Sequence, residues 1–159
     1  MSDIVITIGS YTLKGRLETE AAPLTCAAFL KLLPLTADVL HVRWSGQAVW
    51  LPFGDLSLGI PPENATCYPA PGQILFYPGG VSETEILIAY GHTAFASKAG
   101  PLAGNHFLTL TSGIEHLQKI GHHALWKGAQ KLTFRVARGR ASASAATARS
   151  RRGHRSPPR

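Results

Sequence analysis

The side chains best suited to hold a ligand come from four separated segments of the chain. Arg43 offers a planar fork of donors to a carboxylate or an amide, and the indoles of Trp44 and Trp50 could form apolar walls beside it. Glu63 and His106 could titrate usefully near neutral pH, so either would carry a proton if the ligand is transformed. The full set of candidate ligand-binding residues is Arg43, Trp44, Trp50, Glu63, Asn64, Tyr90, Asn105 and His106.

Two of these segments are rich in glycine, which favours backbone that turns sharply or approaches another group closely. The segment 98–106 ends in Asn105 and His106, which could present an amide and an imidazole to a ligand. Tyr90 precedes Gly91 at the end of another predicted strand and could face the same opening.

Each candidate also has a structural alternative. Arg43 could pair with an acid such as Glu63 at the rim of the fold, and the two tryptophans could fill a core. Asn105 could stabilise a loop without touching a ligand. The sequence leaves these alternatives open.

Metal binding is not predicted, and no cofactor is expected. The histidines at 41, 92, 106, 116, 122 and 123 form neither a His-x-His nor a His-x-x-x-His pair, and Cys26 is far from Cys67 in the sequence. The run from Gly72 to Gly80 matches half of a cupin signature, but Glu83 stands where the cupin histidine would be.

The positive charge of the chain is concentrated in its last residues. Of the 16 basic residues, seven are arginines in 138–159, which holds no acid, so 1–137 carries nine basic and nine acidic residues. The segment 138–159 also lacks aromatic residues and large aliphatic ones, which predicts a disordered Arg-rich tail behind one folded domain, 1–137. Without aromatic residues to stack on bases, nucleic acid is not an expected partner, and contact through the tail is the alternative.

Composition also limits where the protein is expected to work. Apolar runs are shorter than the ~20 residues that span a bilayer, and the first residues lack the pattern of a secretory signal. Two cysteines are too few for a disulfide scaffold, which favours the cytoplasm and no membrane partner. Small barrels often pair through exposed strands, so a homo-oligomer is a further expectation.

Many short strands separated by Pro/Gly-rich turns predict a mainly β protein, either a barrel or a sandwich. The predicted strands are 3–8, 11–18, 39–44, 47–51, 73–77, 85–89, 106–111 and 131–136. Pro23 and an apolar i, i+3, i+4, i+7 pattern predict a first helix that Pro34 ends. Ser112 and Glu115 have the spacing of a capping box, which predicts a second helix from 112 to a glycine cap at Gly121.

Two sequence stretches resemble cyclophilins. Residues 17–29 contain Ala-Pro-x-Thr-x-x-x-Phe after an acidic strand end, and 106–120 runs from a strand through Gly113 into a helix. The resemblance implies a closed cyclophilin-like β-barrel with two short helices. Further sequence motifs, among them Arg43-Trp44-Ser45-Gly46 and the run from Ala99 to His106, resemble those of an uncharacterised bacterial family of that superfamily. This DUF3830-like family has no established activity.

The resemblance also bears on function. Arg43 and His106 match the arginine and the pocket histidine of the cyclophilin prolyl isomerase site, but Arg43 is followed by Trp-Ser-Gly-Gln-Ala-Val-Trp instead of Pro-x-Phe-x-x-Gln-Gly-Gly. The expected function is therefore a metabolic small-molecule site at the barrel mouth, for a carboxylate- or amide-bearing ligand. Whether the ligand is transformed stays open, and a prolyl isomerase-like peptide-binding module is the alternative.

Overall fold

The computed structural model describes residues 3–138. The helices are α1 (Pro23–Leu30) and α2 (Leu117–Lys127), and a 3₁₀ turn (Ile114–His116) precedes α2. The strands are β1 (Asp3–Ile8), β2 (Tyr11–Leu17), β3 (Leu35–His41), β4 (Gly46–Pro52), β5 (Ala65–Thr66), β6 (Gln73–Tyr77), β7 (Glu85–Thr93), β8 (Ala96–Ser97), β9 (Gly100–Pro101), β10 (Gly104–Ser112) and β11 (Gln130–Val136). All but the first residue of the predicted tail, 138–159, lies outside the described residues.

Eight antiparallel strands close into a barrel in the order β2, β1, β11, β3, β4, β7, β6 and β10, and β10 pairs back onto β2. Each of these strands is therefore paired on both sides, and β5 adds a short extra pairing to β10. The predicted cyclophilin-like barrel is confirmed. Within residues 3–138, strand edges that could support the expected homo-oligomer are confined to the short strands β5, β8 and β9, and the oligomeric state stays a prediction.

Alternation of apolar and polar residues builds the barrel wall. In β2, Leu13 and Leu17 point inward, whereas Lys14 and Arg16 are exposed. Helix α1 closes part of the interior by inserting Phe29, whose ring lies 4.8 Å from that of Phe107, centroid to centroid. These contacts form the main core of the protein.

A second apolar cluster covers the outer face of the wall formed by β4, β6 and β7. It comprises Ala48, Leu75, Tyr77, Leu87, Phe95 and Leu102, with Val42 and Trp50 packed against it. Phe95 and Leu102 come from the segment that carries β8 and β9, and Leu102 N donates to Phe95 O at 3.0 Å. These central strands are therefore buried on both faces, which explains why β7 is an almost continuous apolar run.

Two predicted elements differ most from the structure. Strand β3 is Leu35–His41 rather than 39–44, because pairing with β11 extends it back to Leu35 and pairing with β4 ends at His41. Helix α2 begins at Leu117 rather than at 112, and the capping box does not form, because Ser112 still belongs to β10. Helix α2 also continues through Gly121, where a glycine cap was expected.

Candidate functional site

A cavity of about 690 Å³ lies against the outer side of the barrel wall, where β3, β4 and the start of β7 meet the end of α2. Trp50 pairs with Leu87 and Pro52 with Glu85 across β4 and β7, which places them on the same face as the second apolar cluster. The cavity therefore lies on the outside of the barrel wall and not at the barrel mouth, where a site was expected from the sequence. The volume lies within the range of small-molecule sites. The charged side chains and indoles that line this cavity belong to Arg43, Trp44, Trp50, Glu83, Glu85 and Lys98.

The turn between β3 and β4 positions Arg43 and Trp44. Ser45 anchors this turn, because its Oγ donates to Ala96 O at 3.0 Å and accepts from Ala96 N at the same distance. Gly46 has φ +92, and a Cβ there would lie 2.7 Å from the carbonyl oxygen of His92. The turn is therefore held against β8, so Arg43 and Trp44 line the same cavity as Lys98.

His41 lies in the cavity wall with both ring nitrogens hydrogen-bonded. Its Nδ1 lies 2.8 Å from Val42 O, a carbonyl that can only accept, so Nδ1 carries a proton. Its Nε2 lies 2.8 Å from the hydroxyl of Tyr90, and in the neutral ring with its proton on Nδ1 this nitrogen accepts from that hydroxyl. In this arrangement both ring nitrogens of His41 are committed. Tyr90, which sequence reasoning selected, is buried behind this histidine.

Glu85 is a cavity residue that sequence reasoning missed. Its side chain lies at the start of β7 and is only 8% exposed, yet it makes no hydrogen bond or salt bridge within residues 3–138. Burial and the nearby charge of Glu83 raise the pKa of Glu85 to about 8. The signal in the sequence was an acidic residue that opens an otherwise apolar strand.

Glu63 has a different environment, at the start of α1. Its carboxylate accepts hydrogen bonds from the amides of Leu24 at 3.1 Å and Thr25 at 2.9 Å, and from the Thr25 hydroxyl at 2.7 Å. Burial alone would raise the pKa of Glu63, but the bonds from Thr25 and Leu24 lower it below its usual range. Glu63 thus caps the free amides of α1 rather than pairing with Arg43.

Asn105 completes this cap. It is fully buried, accepts from Glu63 N at 3.1 Å, and donates to the Thr25 hydroxyl at 3.0 Å and to Pro61 O at 3.2 Å. Thr25 can serve both partners because its hydroxyl donates to Glu63 and accepts from Asn105. These bonds tie the loop before β5 to α1 and β10.

His106 is likewise held by neighbouring side chains. The Thr109 hydroxyl donates to Glu18 at 2.7 Å, so it must accept from His106 Nε2, 2.8 Å away. Asn64 Nδ2 lies 2.9 Å from the His106 carbonyl oxygen and 3.4 Å from Nδ1. Burial lowers the pKa of His106. Burial therefore favours the neutral imidazole, and both of its ring nitrogens lie within hydrogen-bond distance of neighbouring side chains.

The sequence matches one protein family along nearly the whole barrel domain. The model of a family described as "Protein of unknown function (DUF3830)" matches residues 4–136. The chain belongs to the DUF3830 family. No curated protein matches the sequence of this DUF3830 chain.

Two solved structures are similar to the DUF3830 barrel. McbB in complex with tryptophan has a TM-score of 0.64 at 18% identity, covering 83% of this chain and 44% of McbB. The hypothetical protein AF2241 from Archaeoglobus fulgidus has a TM-score of 0.59 at 15% identity, covering 86% of this chain and 95% of that one. The DUF3830 chain thus spans less than half the length of McbB. At these identities the similarity establishes the fold alone.

The candidate residues of this DUF3830 protein fall into two groups. Arg43, Trp44 and Trp50 line the cavity, and Tyr90 contacts its wall through His41. Glu63, Asn64, Asn105 and His106 do not line it and form the hydrogen-bonded network around α1 and β10. The two positions that resemble the isomerase site are therefore in different groups.

The described part of the DUF3830 chain has neither a cluster of metal ligands nor a helix that could span a membrane. Within 3–138, no three His, Cys, Asp or Glu side chains cluster so as to hold a metal ion. Both cysteines are free. Neither helix in this range is long and apolar enough to cross a membrane.

Proposed function

We propose that this DUF3830 protein binds a small carboxylate- or amide-bearing ligand in the Arg43 cavity. One observation carries the proposal: a single cavity combines two cations, two indoles and a largely buried carboxyl that has no partner within residues 3–138. Such a mixture of apolar walls and a few polar groups is typical of small-molecule sites.

The cations supply the anchor for an anionic group. Arg43 and Lys98 come from the β3–β4 turn and the β8–β9 turn, and both line the cavity. Neither takes part in a salt bridge among residues 3–138. A guanidinium without an acidic partner is available to form a bidentate pair with a carboxylate.

The tryptophans supply apolar contact area. Trp44 is 58% exposed, which is unusual for so large an apolar side chain, whereas Trp50 is half-buried against the second apolar cluster. A ligand with an aromatic or aliphatic body would cover both indoles. The structure of McbB, which has a similar fold, contains tryptophan, a compound with both a carboxylate and an indole. Tryptophan is therefore one compound to test for binding.

A thermal-shift screen of carboxylates, amides, ureas and short peptides tests this proposal. The expected result is a ligand that raises the melting temperature of the wild type but not of Arg43→Ala. Arg135→Ala is the matched control, because Arg135 is an exposed arginine on β11 that does not line the cavity. Stabilisation that survives Arg43→Ala, or that Arg135→Ala also removes, would place the ligand elsewhere.

The alternative functions have less support. A prolyl isomerase-like module would need Arg43 and His106 in one site, and they lie in separate groups. A protease-coupled proline-peptide assay tests this alternative, since it predicts a rate that falls on Arg43→Ala. For nucleic-acid contact through the tail, the test is whether binding is lost when 138–159 is deleted.

A further inference from the structure

We propose that Glu85 recognises the ligand as a neutral carboxylic acid that donates a hydrogen bond to an uncharged acceptor. The ligand class would be monocarboxylates that carry an amide or ketone carbonyl away from their carboxylate. This inference rests on the proposed function of the Arg43 cavity and adds the chemistry of its far end.

The position of Glu85 is the first support. Glu85 is only 8% exposed as a whole residue and has no side-chain partner within residues 3–138, although its carboxyl oxygens keep some accessible surface. Such burial is unfavourable for a carboxyl group unless the group is paired or neutral. The atoms of Glu85 that stay accessible face the cavity, which the residue helps to line. Its hydrogen-bonding capacity is therefore directed at whatever occupies the cavity.

The charged and titratable neighbours of Glu85 give the second support. Glu83 precedes β7, Arg43 lies in the β3–β4 turn, Lys98 lies between β8 and β9, and His41 is on β3. His41 is committed to Tyr90 and Val42. Burial and Glu83 raise the pKa of Glu85, and neither cation offsets them. Glu85 pairs with Pro52 at the last residue of β4, whereas Arg43 lies in the turn before β4 begins, so the cationic and carboxyl ends of the cavity are separate.

Selectivity follows from this separation. A ligand carboxylate would meet Arg43 and Lys98, while the protonated Glu85 would donate to a carbonyl oxygen at the other end. A dicarboxylate would bring its second negative charge towards the charge of Glu83 beside Glu85, where a like charge is unfavourable. The site should therefore reject dicarboxylates of similar size.

Three compounds test the inference: N-acetylphenylalanine, its amide N-acetylphenylalaninamide, and phenylsuccinate. Binding is followed by tryptophan fluorescence, in a Trp126→Phe background so that the signal comes from Trp44 and Trp50. N-acetylphenylalanine should bind most tightly at pH 6. The amide and phenylsuccinate should each bind at least tenfold more weakly.

The pH dependence identifies Glu85. The affinity for N-acetylphenylalanine should fall about tenfold between pH 6 and pH 9, as Glu85 loses its proton while the probe stays ionised. Glu85→Gln, which remains a neutral donor, should bind equally at both pH values. Glu83→Gln removes a charge that raises the pKa of Glu85, so the affinity should begin to fall at a lower pH in this variant.

The outcomes separate the two proposals. Binding that needs Arg43 but has the same pH dependence in wild type and Glu85→Gln would overturn the role of Glu85 alone. Tight binding of phenylsuccinate would do the same. If none of the three compounds binds the wild type at either pH, both proposals fail. Should Glu85→Gln not fold, the wild-type and Glu83→Gln profiles decide.

Discussion

Replacing Glu85 by glutamine should stabilise the protein, and the gain should grow with pH. The pKa of Glu85 rises from 4.5 to about 8 on folding, so the folded state holds a proton that the unfolded chain releases. The contribution of Glu85 to the free energy of unfolding therefore falls as pH rises from about 4.5 to 8, and this contribution is constant above pH 8. Glutamine has nearly the same shape and never ionises, so Glu85→Gln avoids this loss.

The size of the effect follows from the shift. At about 1.4 kcal/mol per pKa unit, the difference between 4.5 and 8 corresponds to about 5 kcal/mol above pH 8 and roughly 3 kcal/mol at pH 7. For a domain of this length, 1 kcal/mol moves the melting temperature by roughly 3 °C. Glu85→Gln should therefore melt about 10 °C above the wild type at pH 7 and level with it at pH 4.

Differential scanning calorimetry or urea unfolding between pH 4 and 9 measures this difference. Glu20→Gln is the control, because Glu20 is exposed and its variant should follow the wild type within about 0.5 kcal/mol at each pH. A stability gain of Glu85→Gln over the wild type that is no larger at pH 8 than at pH 4 would refute the reasoning. That result would mean that Glu85 is ionised in the folded protein.

Three further changes test the surrounding structure. Gly121→Ala should destabilise by several kcal/mol in calorimetry, although alanine normally favours helix, because its Cβ would lie 2.3 Å from the Tyr90 ring; an unchanged melting temperature would contradict this packing. Glu63→Gln should lower the urea-unfolding free energy by about 1 kcal/mol at pH 7, since it weakens the bonds to Thr25 N and Leu24 N. That loss should vanish in acid, where the wild-type carboxylate is also protonated, and persistence at low pH would argue against the cap. Tyr90→Phe should reduce stability by about 1 kcal/mol in the same assay by leaving His41 Nε2 without its donor, and no change would mean that water replaces the hydroxyl.

Most barrel elements were predictable because their signals are local. Alternation in β2, the β-branched run of β1 and the proline that opens α1 each depend on residues close together in the sequence. The start of α2 was not predictable from local signals, because Ser112 and Glu115 have the spacing of a capping box that does not form in the structure. Pairing of Ser112 with Lys14 of β2 keeps Ser112 in β10 and delays the helix.

The residues of the candidate site also differ in whether local sequence signals or long-range contacts decide their role. Arg43 and Trp44 lie in the turn of a hairpin whose second strand carries Trp50, so their sequence separation alone indicated that they could meet. Asn105 and His106 have the residue types of a site, yet contacts with Thr25 and Thr109, from distant or unsuspected positions, use their polar atoms. Residue type therefore indicated where polar chemistry was present, but not which groups were free.

By itself, the sequence determined a mainly β domain with two helices and the family to which it belongs, because strand periodicity and characteristic words are properties of adjacent residues. Only the tertiary structure decided that Glu85 and Lys98 join Arg43 on one cavity, while Glu63 caps α1 instead. The physical reason is that burial and hydrogen-bond partners depend on which strands pair when the barrel closes. An acidic side chain becomes a paired cap or an unpaired buried acid according to those long-range contacts.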